Sequence, residues 1–168
     1  MSLTLSRKTD YALVALAALV EQQRGEQQPL SARQIAEQHQ LPLPLLMNLL
    51  KDLHKAGIVC SRRGSGGGYL LCHDPAKVRL LSVVEAIEGR VKLAMCCDEQ
   101  EQAGDEPCAA CACQVLETCP IVTPMQRLND MLRQFFDGLT LADLVDRDSP
   151  LQDSTTTTRP TQIGASSL

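Results

Sequence analysis

The sequence predicts a mainly α-helical fold: a winged helix-turn-helix with a small β-hairpin wing, a cysteine-rich loop and a long C-terminal helix. Two short helical segments flank a tight turn, a glycine-rich hairpin follows them, and an apolar stripe with helical spacing comes late in the chain. We expect four regions: the winged helix-turn-helix over 1–92, the cysteine-rich loop over 93–119, a dimerisation helix over 120–147, and a disordered tail over 148–168.

The first helices follow from apolar spacing and capping residues. Residues 9–20 form an almost wholly apolar helix, which we expect to be buried on all sides, partly by a partner. Ser31 and Gln34 form the capping-box pattern of a second helix. After a turn at 39–41, a third helix ends at Gly57 in a left-handed cap. The buried stripe of this third helix is Leu46, Leu49, Leu50 and Leu53.

A β-hairpin follows directly and predicts a wing. Two strand-like pieces, 58–62 and 69–72, flank the run Arg63-Gly64-Ser65-Gly66-Gly67-Gly68. Arg62 and Arg63 favour contact with DNA, because glycines permit close backbone approach and an arginine can enter a narrow minor groove. The alternative is a plain tight hairpin in which glycine serves only the turn.

The third helix would lie in the major groove of double-stranded DNA. Asn48, Lys51 and His54 are its polar candidates, although the apolar residues at 43–45 predict sparse reading of bases. Arg33 and Gly66 complete the residues that we assign to DNA.

Two further helices are predicted. Ser82 and Glu85 form the capping pattern of one helix, which Gly89 stops. Pro120 opens a long helix with a coiled-coil-like stripe, which suits pairing with another helix, and residues 139–145 add a short turn. The stripe consists of Ile121, Met125, Leu128, Leu132 and Phe135.

Charge and hydropathy narrow the class of protein. Residues 1–92 carry twelve Lys and Arg against eight Asp and Glu, whereas 93–168 carry four against twelve. A basic first half suits a polyanionic partner, although scattered surface charge is the alternative. The apolar run at 11–20 is too short to cross a bilayer, and no signal-peptide pattern opens the chain. We therefore expect a cytoplasmic protein with no membrane partner.

The eight cysteines suggest metal or redox work, because cytoplasmic thiols stay reduced. Cys60 and Cys72, at the two ends of the hairpin, are expected to be reduced, small apolar residues. The other six crowd into a 24-residue acidic segment without helical periodicity, which would make poor core. Thiolates select zinc, copper(I) or iron–sulfur clusters, and spacing alone does not choose among them. These six are Cys96, Cys97, Cys108, Cys111, Cys113 and Cys119.

Over residues 3–147 the chain resembles the IscR/NsrR-type winged-helix transcription repressors, most closely the branch that regulates iron–sulfur (SUF) cluster assembly. The motifs that carry the resemblance are LSRKTDYAL at 5–13, LHKAGIV at 53–59, RGSGGGYLL at 63–71, EAIEG at 85–89, and CP at 119–120 ahead of MQRLN at 125–129.

The resemblance implies a homodimer that pairs through the long C-terminal helix and binds a pseudo-palindromic operator. It also implies a [2Fe–2S] or [4Fe–4S] cluster held by three cysteines before that helix. The last two of these map onto Cys113 and Cys119, and the first maps onto Cys96 or Cys97.

This sequence departs from the family pattern in two places. The gap after Cys97 is longer than usual and contains Cys108 and Cys111, which become additional candidate ligands. Val122 stands where some members carry a ligating histidine. Other members of the family use as the remaining cluster ligand a carboxylate that the partner subunit supplies in trans, and Asp10 occupies the matching position. Alternatively, Asp10 only caps its helix.

The resemblance thus implies a transcription repressor, not an enzyme, whose operator binding responds to cluster supply, iron, oxidants or nitric oxide. A zinc-stabilised or cluster-free winged-helix DNA-binding protein is the alternative. A redox enzyme or cluster carrier is a third and weaker interpretation, because no Cys-His catalytic pairing is evident.

Overall fold

The computed structural model describes residues 5–25, 28–64, 66–97 and 118–146, and confirms a mainly helical fold with one small hairpin. Cys108, Cys111, Cys113 and the predicted tail lie outside these residues. The helices are α1 Arg7–Arg24, α2 Ala32–His39, α3 Leu43–Lys55, α4 Leu80–Glu88, α5 Val122–Gly138 and α6 Leu141–Val145. The strands β1 Val59–Arg62 and β2 Gly68–Leu71 pair antiparallel, and 3-10 turns occupy Pro75–Lys77 and Met95–Cys97. None of the described helices is both long and apolar enough to cross a membrane.

The helix α1 is central to the core, against which α2, α3, α4, α6 and β2 pack. It begins earlier than predicted, after Ser6, whose hydroxyl accepts the Lys8 N–H at 3.2 Å. Alanine and leucine residues line its buried side, but Tyr11 and Val14 remain half-exposed. Burial of this remaining face by a partner, which the sequence predicts, stays a prediction.

The helix-turn-helix forms as predicted. The Ser31 hydroxyl accepts the Gln34 N–H at 3.2 Å, and the Gln34 side chain accepts the Ser31 N–H at 2.9 Å, which confirms the capping box. Gln40 turns the chain with a left-handed φ of 54°. All four leucines of the α3 stripe are buried, and Gly57 follows the helix with a φ of 72°.

The wing is anchored to the core at its base. Val59 and Leu71 face each other across the hairpin and are both buried. On the other edge of β2, Tyr69 exchanges two backbone hydrogen bonds with Leu30, of 2.7 and 3.1 Å. Gly68 must be glycine, because a Cβ there would lie 2.4 Å from the Leu30 carbonyl oxygen. This close approach explains one glycine of the run without any ligand.

The prediction that Cys60 and Cys72 are reduced, small apolar residues is wrong. Their sulfurs are bonded, with the Cα atoms 5.2 Å apart. The strand register pairs Cys60 with Leu70, and the Cys72 N–H donates to the Ile58 carbonyl at 3.0 Å. The two cysteines are therefore diagonal neighbours on the outer face of the hairpin, opposite the face that enters the core.

The start of α4 differs from the prediction. The helix begins at Leu80, whose N–H donates to the Leu139 carbonyl at 2.9 Å, and no side chain caps it. The expected capping box of Ser82 and Glu85 is therefore wrong, because a tertiary hydrogen bond satisfies one of the donors that a cap would serve. Gly89 ends the helix with a φ of 81°, as predicted.

The predicted long C-terminal helix ends at Gly138, and the short helical turn expected at residues 139–145 follows as α6. After α5 the chain turns back, and Leu141 at the start of α6 is buried and donates its N–H to the Val78 carbonyl at 2.8 Å. Arg24 at the end of α1 lies 2.8 Å from the Asp146 carboxylate after α6. The C-terminal end of α5 is thus joined to the winged-helix part.

Glu88, in the last turn of α4, ties that helix to the start of α1. Its carboxylate accepts hydrogen bonds from the Ser6 N–H, the Ser6 hydroxyl and the hydroxyl of the buried Thr9. Partial burial raises the pKa of Glu88, but these hydrogen bonds, with the nearby Lys8 charge, outweigh it and hold the pKa below its ordinary value.

We predict that Glu88→Gln lowers the free energy of unfolding by about 1 kcal/mol at neutral pH, because charged acceptors make the stronger hydrogen bonds. A carboxyl whose pKa is lowered by folding stabilises the protein above its unfolded-state pKa, and this stability is lost as pH falls through the folded-state pKa. The difference between wild type and Glu88→Gln should therefore shrink as the pH falls through the folded-state pKa, measured by thermal unfolding.

Glu37→Gln is the matched control, since Glu37 forms only an exposed pair with Arg33 at 3.3 Å. It should cost no more than about 0.5 kcal/mol at either pH. A loss in Glu88→Gln that is the same at neutral and acidic pH would contradict the role of the ionised carboxylate.

Candidate nucleic-acid interface and cysteine centre

The outer face of α3 carries the polar residues that the sequence predicted. Asn48 and Lys51 are exposed, opposite the buried leucine stripe. Pro44 and Met47 share this face, and the Met47 side chain is 43% exposed. Sequence reasoning missed Met47, although its spacing of three and four residues from Pro44 and Lys51 placed it on the same side. The face is therefore part polar and part apolar.

The far end of the wing presents Arg62, Arg63 and Gly66, all exposed. Gly67 must be glycine, because a Cβ there would lie 2.4 Å from the Arg62 carbonyl oxygen. Gly66 differs: a Cβ there would meet no described atom within 4 Å apart from its chain neighbours. Contact with the rest of the described chain therefore does not explain glycine at position 66.

A shallow pocket joins α3 to the wing. Three cationic or titratable side chains of α3 line it together with two residues of the hairpin: Lys51, His54, Lys55, Ser61 and Tyr69. The Lys55 ammonium is 3.2 Å from Asp52. Arg33 lies on α2, where its exposed guanidinium is 3.3 Å from Glu37. The structure thus brings Lys51 to the wing and places Arg33 on the preceding helix.

Both ends of the cysteine-rich segment contact the first two turns of α5. Cys97 is buried, and its thiol donates to the Met125 carbonyl with an S···O distance of 3.6 Å. The Gln126 side-chain amide donates to the Cys96 carbonyl at 3.3 Å. From the other end, the Cys119 carbonyl accepts the N–H of the first residue of α5 at 3.5 Å. These contacts lie within the first two turns of the helix.

A buried polar contact holds the first of these ends in place. Asn129, the one buried residue of α5, accepts the Leu93 N–H through its side-chain oxygen at 3.0 Å. One turn further on, Arg133 contacts the Glu85 carboxylate at 2.5 Å. The segment before Cys97 is thus fixed between α4 and α5.

The donor chemistry at this end of α5 suits a thiolate-bound metal centre. Cys96, Cys97 and Cys119 are present as thiols, and the positive end of a helix dipole favours anionic ligands. Among the described residues, no three His, Cys, Asp or Glu side chains are close enough to hold a metal. A complete ligand set therefore needs a residue beyond those described or from a second copy.

Asp10 is exposed in the first turn of α1. Ser6, not Asp10, is the N-cap, so the alternative that Asp10 merely caps its helix is wrong. Its carboxylate lies on the surface of the chain, beside the half-exposed Tyr11 and Val14.

A helix-turn-helix with an exposed arginine wing defines a winged-helix protein of the DNA-binding class. The model of the Rrf2 family, described as an iron-dependent transcriptional regulator, matches residues 5–147. The chain belongs to the Rrf2 family of transcription regulators.

Individual relatives agree. The transcriptional regulator IscR of Serratia proteamaculans is 31% identical over 148 residues, which cover 88% of this chain and 82% of the relative. CymR, the global cysteine regulator of B. subtilis, is 28% identical with a TM-score of 0.62, covering 86% of this chain and 97% of that one. IscR of T. potens is 26% identical with a TM-score of 0.61, covering 90% and 93%. These likenesses confirm the resemblance to IscR-type winged-helix regulators.

We predict that Asn129→Ala loosens the segment before Cys97, because the half-buried Leu93 N–H loses its acceptor at a cost of about 1–3 kcal/mol. The Cys97 thiol should then react with an alkylating reagent about tenfold faster or more in reduced, metal-free protein, as measured by peptide mass spectrometry.

Asn129→Asp is the matched control, since it keeps an oxygen acceptor of the same reach. It should leave the alkylation rate of Cys97 closer to that of wild type. Equal rates in wild type and Asn129→Ala would show that this hydrogen bond does not protect the thiol.

Proposed function

We propose that this protein is a cytoplasmic, homodimeric transcription repressor that binds an operator in double-stranded DNA under the control of an iron–sulfur cluster. The observation that carries the proposal is the contact of both ends of the cysteine-rich segment with the first two turns of α5, in a member of the Rrf2 family. Each component of the proposal has its own support.

The DNA contacts are assigned to the wing and the outer face of α3. Asn48 and Lys51 on α3 enter the major groove, and Arg33 contacts phosphate from α2. Arg62 and Arg63 reach the minor groove from the wing. Gly66 is exposed beside these arginines, where glycine permits close approach to the DNA backbone.

The cluster is assigned to Cys113 and Cys119 together with Cys96 or Cys97. The contacts of Cys97 with Met125 and of Cys96 with Gln126 support this assignment, because Cys119 lies three residues before the same helix. When bound, an iron–sulfur cluster supplies a redox-active centre that oxidants and nitric oxide can damage. Cys108 and Cys111 are additional thiolates that could complete the set, and zinc is the alternative metal.

The contact with a second copy of the chain is assigned to the exposed apolar stripe of α5. Ile121, Leu128 and Phe135 are 56%, 50% and 57% exposed, and such apolar side chains at heptad-like spacing suit a helix–helix interface. The half-exposed face of α1 offers a second apolar surface. In such a dimer Asp10 supplies the remaining ligand in trans, as a carboxylate that is harder than thiolate and more easily displaced.

We predict that Arg63→Ala weakens operator binding by about 1–3 kcal/mol, measured by fluorescence anisotropy at fixed salt. The loss should be larger on the specific site than on random DNA, because a minor-groove arginine reads groove shape. Gly66→Ala should also weaken binding while leaving the melting temperature unchanged, since the added methyl group has room within the described chain.

Lys77→Ala is the matched control for lost positive charge, because Lys77 is exposed in the 3-10 turn beyond the wing. It should change affinity far less than Arg63→Ala. Operator affinity equal to wild type in Arg63→Ala at matched salt would remove Arg63 from the interface.

We predict that Cys113→Ser and Cys119→Ser each abolish the visible absorbance of protein purified without oxygen, with loss of bound iron and sulfide. Cys60→Ser is the control, because Cys60 lies in the wing and should keep the absorbance. Unchanged absorbance and iron in both loop variants would refute the ligand assignment. A colourless wild-type protein that contains zinc would establish the alternative metal.

The same preparation tests Asp10. Asp10→Ala and Asp10→Asn should retain a cluster with an altered spectrum that is lost faster under oxygen or nitric oxide. If both variants match wild type while Cys108→Ser or Cys111→Ser does not, an all-thiolate site replaces the carboxylate ligand.

A further inference from the structure

We propose that Cys60 and Cys72 are a reversible dithiol–disulfide pair that low-molecular-weight disulfides oxidise, and that its state sets the DNA affinity of the wing. This is a second thiol centre, separate from the cysteine-rich segment. Its effect on DNA affinity rests on the proposed DNA-binding function, whereas its redox chemistry does not.

The hairpin itself brings the two cysteines together. Buried Val59 and Leu71 pair across the strands, and the Cys72 N–H bonds to the Ile58 carbonyl at 3.0 Å. This register fixes the Cα atoms of the cysteines 5.2 Å apart, inside the usual range for a disulfide. Since backbone hydrogen bonds and core packing hold the register, the reduced pair keeps the arrangement and needs no refolding to be oxidised.

The pair is accessible to a small reagent. Cys60 is exposed and Cys72 is half-buried, on the outer face of the hairpin. Exposed disulfides are the labile and regulatory kind, whereas purely structural ones resist reduction. The difference in exposure assigns the roles: Cys60 is the residue that an external disulfide meets first, and Cys72 is the resolving thiol.

Oxidation proceeds by two thiol–disulfide exchanges. The Cys60 thiolate attacks one sulfur of the external disulfide, and a mixed disulfide forms as the first external thiolate leaves. The Cys72 thiolate then attacks the Cys60 sulfur and displaces the second. The two protons released by the cysteines pass to the two leaving thiolates. The net result is one protein disulfide and two external thiols, so the external disulfide is reduced as the pair is oxidised.

The bond lies at the base of the segment that carries the DNA contacts. Cys60 and Cys72 are separated by twelve positions in sequence, and Arg62, Arg63 and Gly66 all lie between them. Closing this ring restricts the wing before DNA arrives, so less conformational freedom is lost on binding. The Leu30–Tyr69 bridge already holds β2 in both states. The effect should therefore be moderate, with the oxidised form binding about threefold to tenfold more tightly.

The redox chemistry is tested on the full-length, metal-free protein in mixtures of reduced and oxidised glutathione. After acid quenching and alkylation, trypsin cuts at Lys55, Arg62, Arg63 and Lys77, so the two cysteines fall on separate peptides with one cysteine each. The proposal expects a linked pair of peptides, 56–62 with 64–77, that rises and falls reversibly with the glutathione ratio. A bond that never forms, or one that no reducing mixture opens, would overturn it.

The effect on DNA is tested with a duplex selected from a random pool by the wild-type protein. Affinity is compared between oxidised and reduced protein in wild type and in Cys60→Ser/Cys72→Ser, with circular dichroism as the check on folding. The other six cysteines respond equally in both proteins, so the difference belongs to the wing. The single variant Cys60→Ser, which leaves half-buried Cys72 in place, gives the same comparison if the double variant is unfolded.

The expected result is a threefold to tenfold redox response in wild type that is absent from the variant. An equal response in both proteins would overturn the regulatory role. If the peptide pair titrates reversibly while no duplex is bound in either state, the proposed DNA-binding function fails and the redox pair stands.

Discussion

The rest of the structure depends on the burial of α1. With only two tyrosines, two phenylalanines and no tryptophan, the chain fills its core with small aliphatic side chains, and the centre of α1 is alanine and leucine. Small side chains let several elements pack on one helix, here α2, α3, α4, α6 and β2. Glu88 fastens the start of this helix and Asp146 its end. The same buried surface therefore sets the positions of α3 and the wing.

The features that the sequence predicted correctly depend on residues that are close together in the chain. The Ser31–Gln34 capping box, the left-handed Gly57 and the leucine stripe of α3 are all decided within a few residues. The start of α4 was missed because the partner of the Leu80 N–H is Leu139, in a distant part of the chain. The wing disulfide was missed because the prediction rested on the general rule that cytoplasmic thiols stay reduced. The register of the two strands, which decides which thiols lie together, was not part of that rule.

The residues of the candidate site were likewise predictable only where local spacing in the sequence carries information. Helical periodicity placed Asn48 and Lys51 on the outer side of α3, and glycine spacing placed Arg63 at the tip of the wing. Periodicity gives no information across the acidic cysteine-rich segment, so the contact between Cys97 and Met125 had no local signal. Ligand assignments within that segment rest on the resemblance to the Rrf2 family and remain predictions.

Both ends of the cysteine-rich segment are held at α5. A change in the length of this segment therefore has little effect on the free energy of folding. Twenty-one residues separate Cys97 from Cys119. The entropy of closing a loop grows only with the logarithm of its length, so doubling the segment costs about 0.6 kcal/mol. Residues can be inserted or deleted between these cysteines without moving the helix that holds both ends. Cys108 and Cys111 lie in this stretch, between the two ends held at α5.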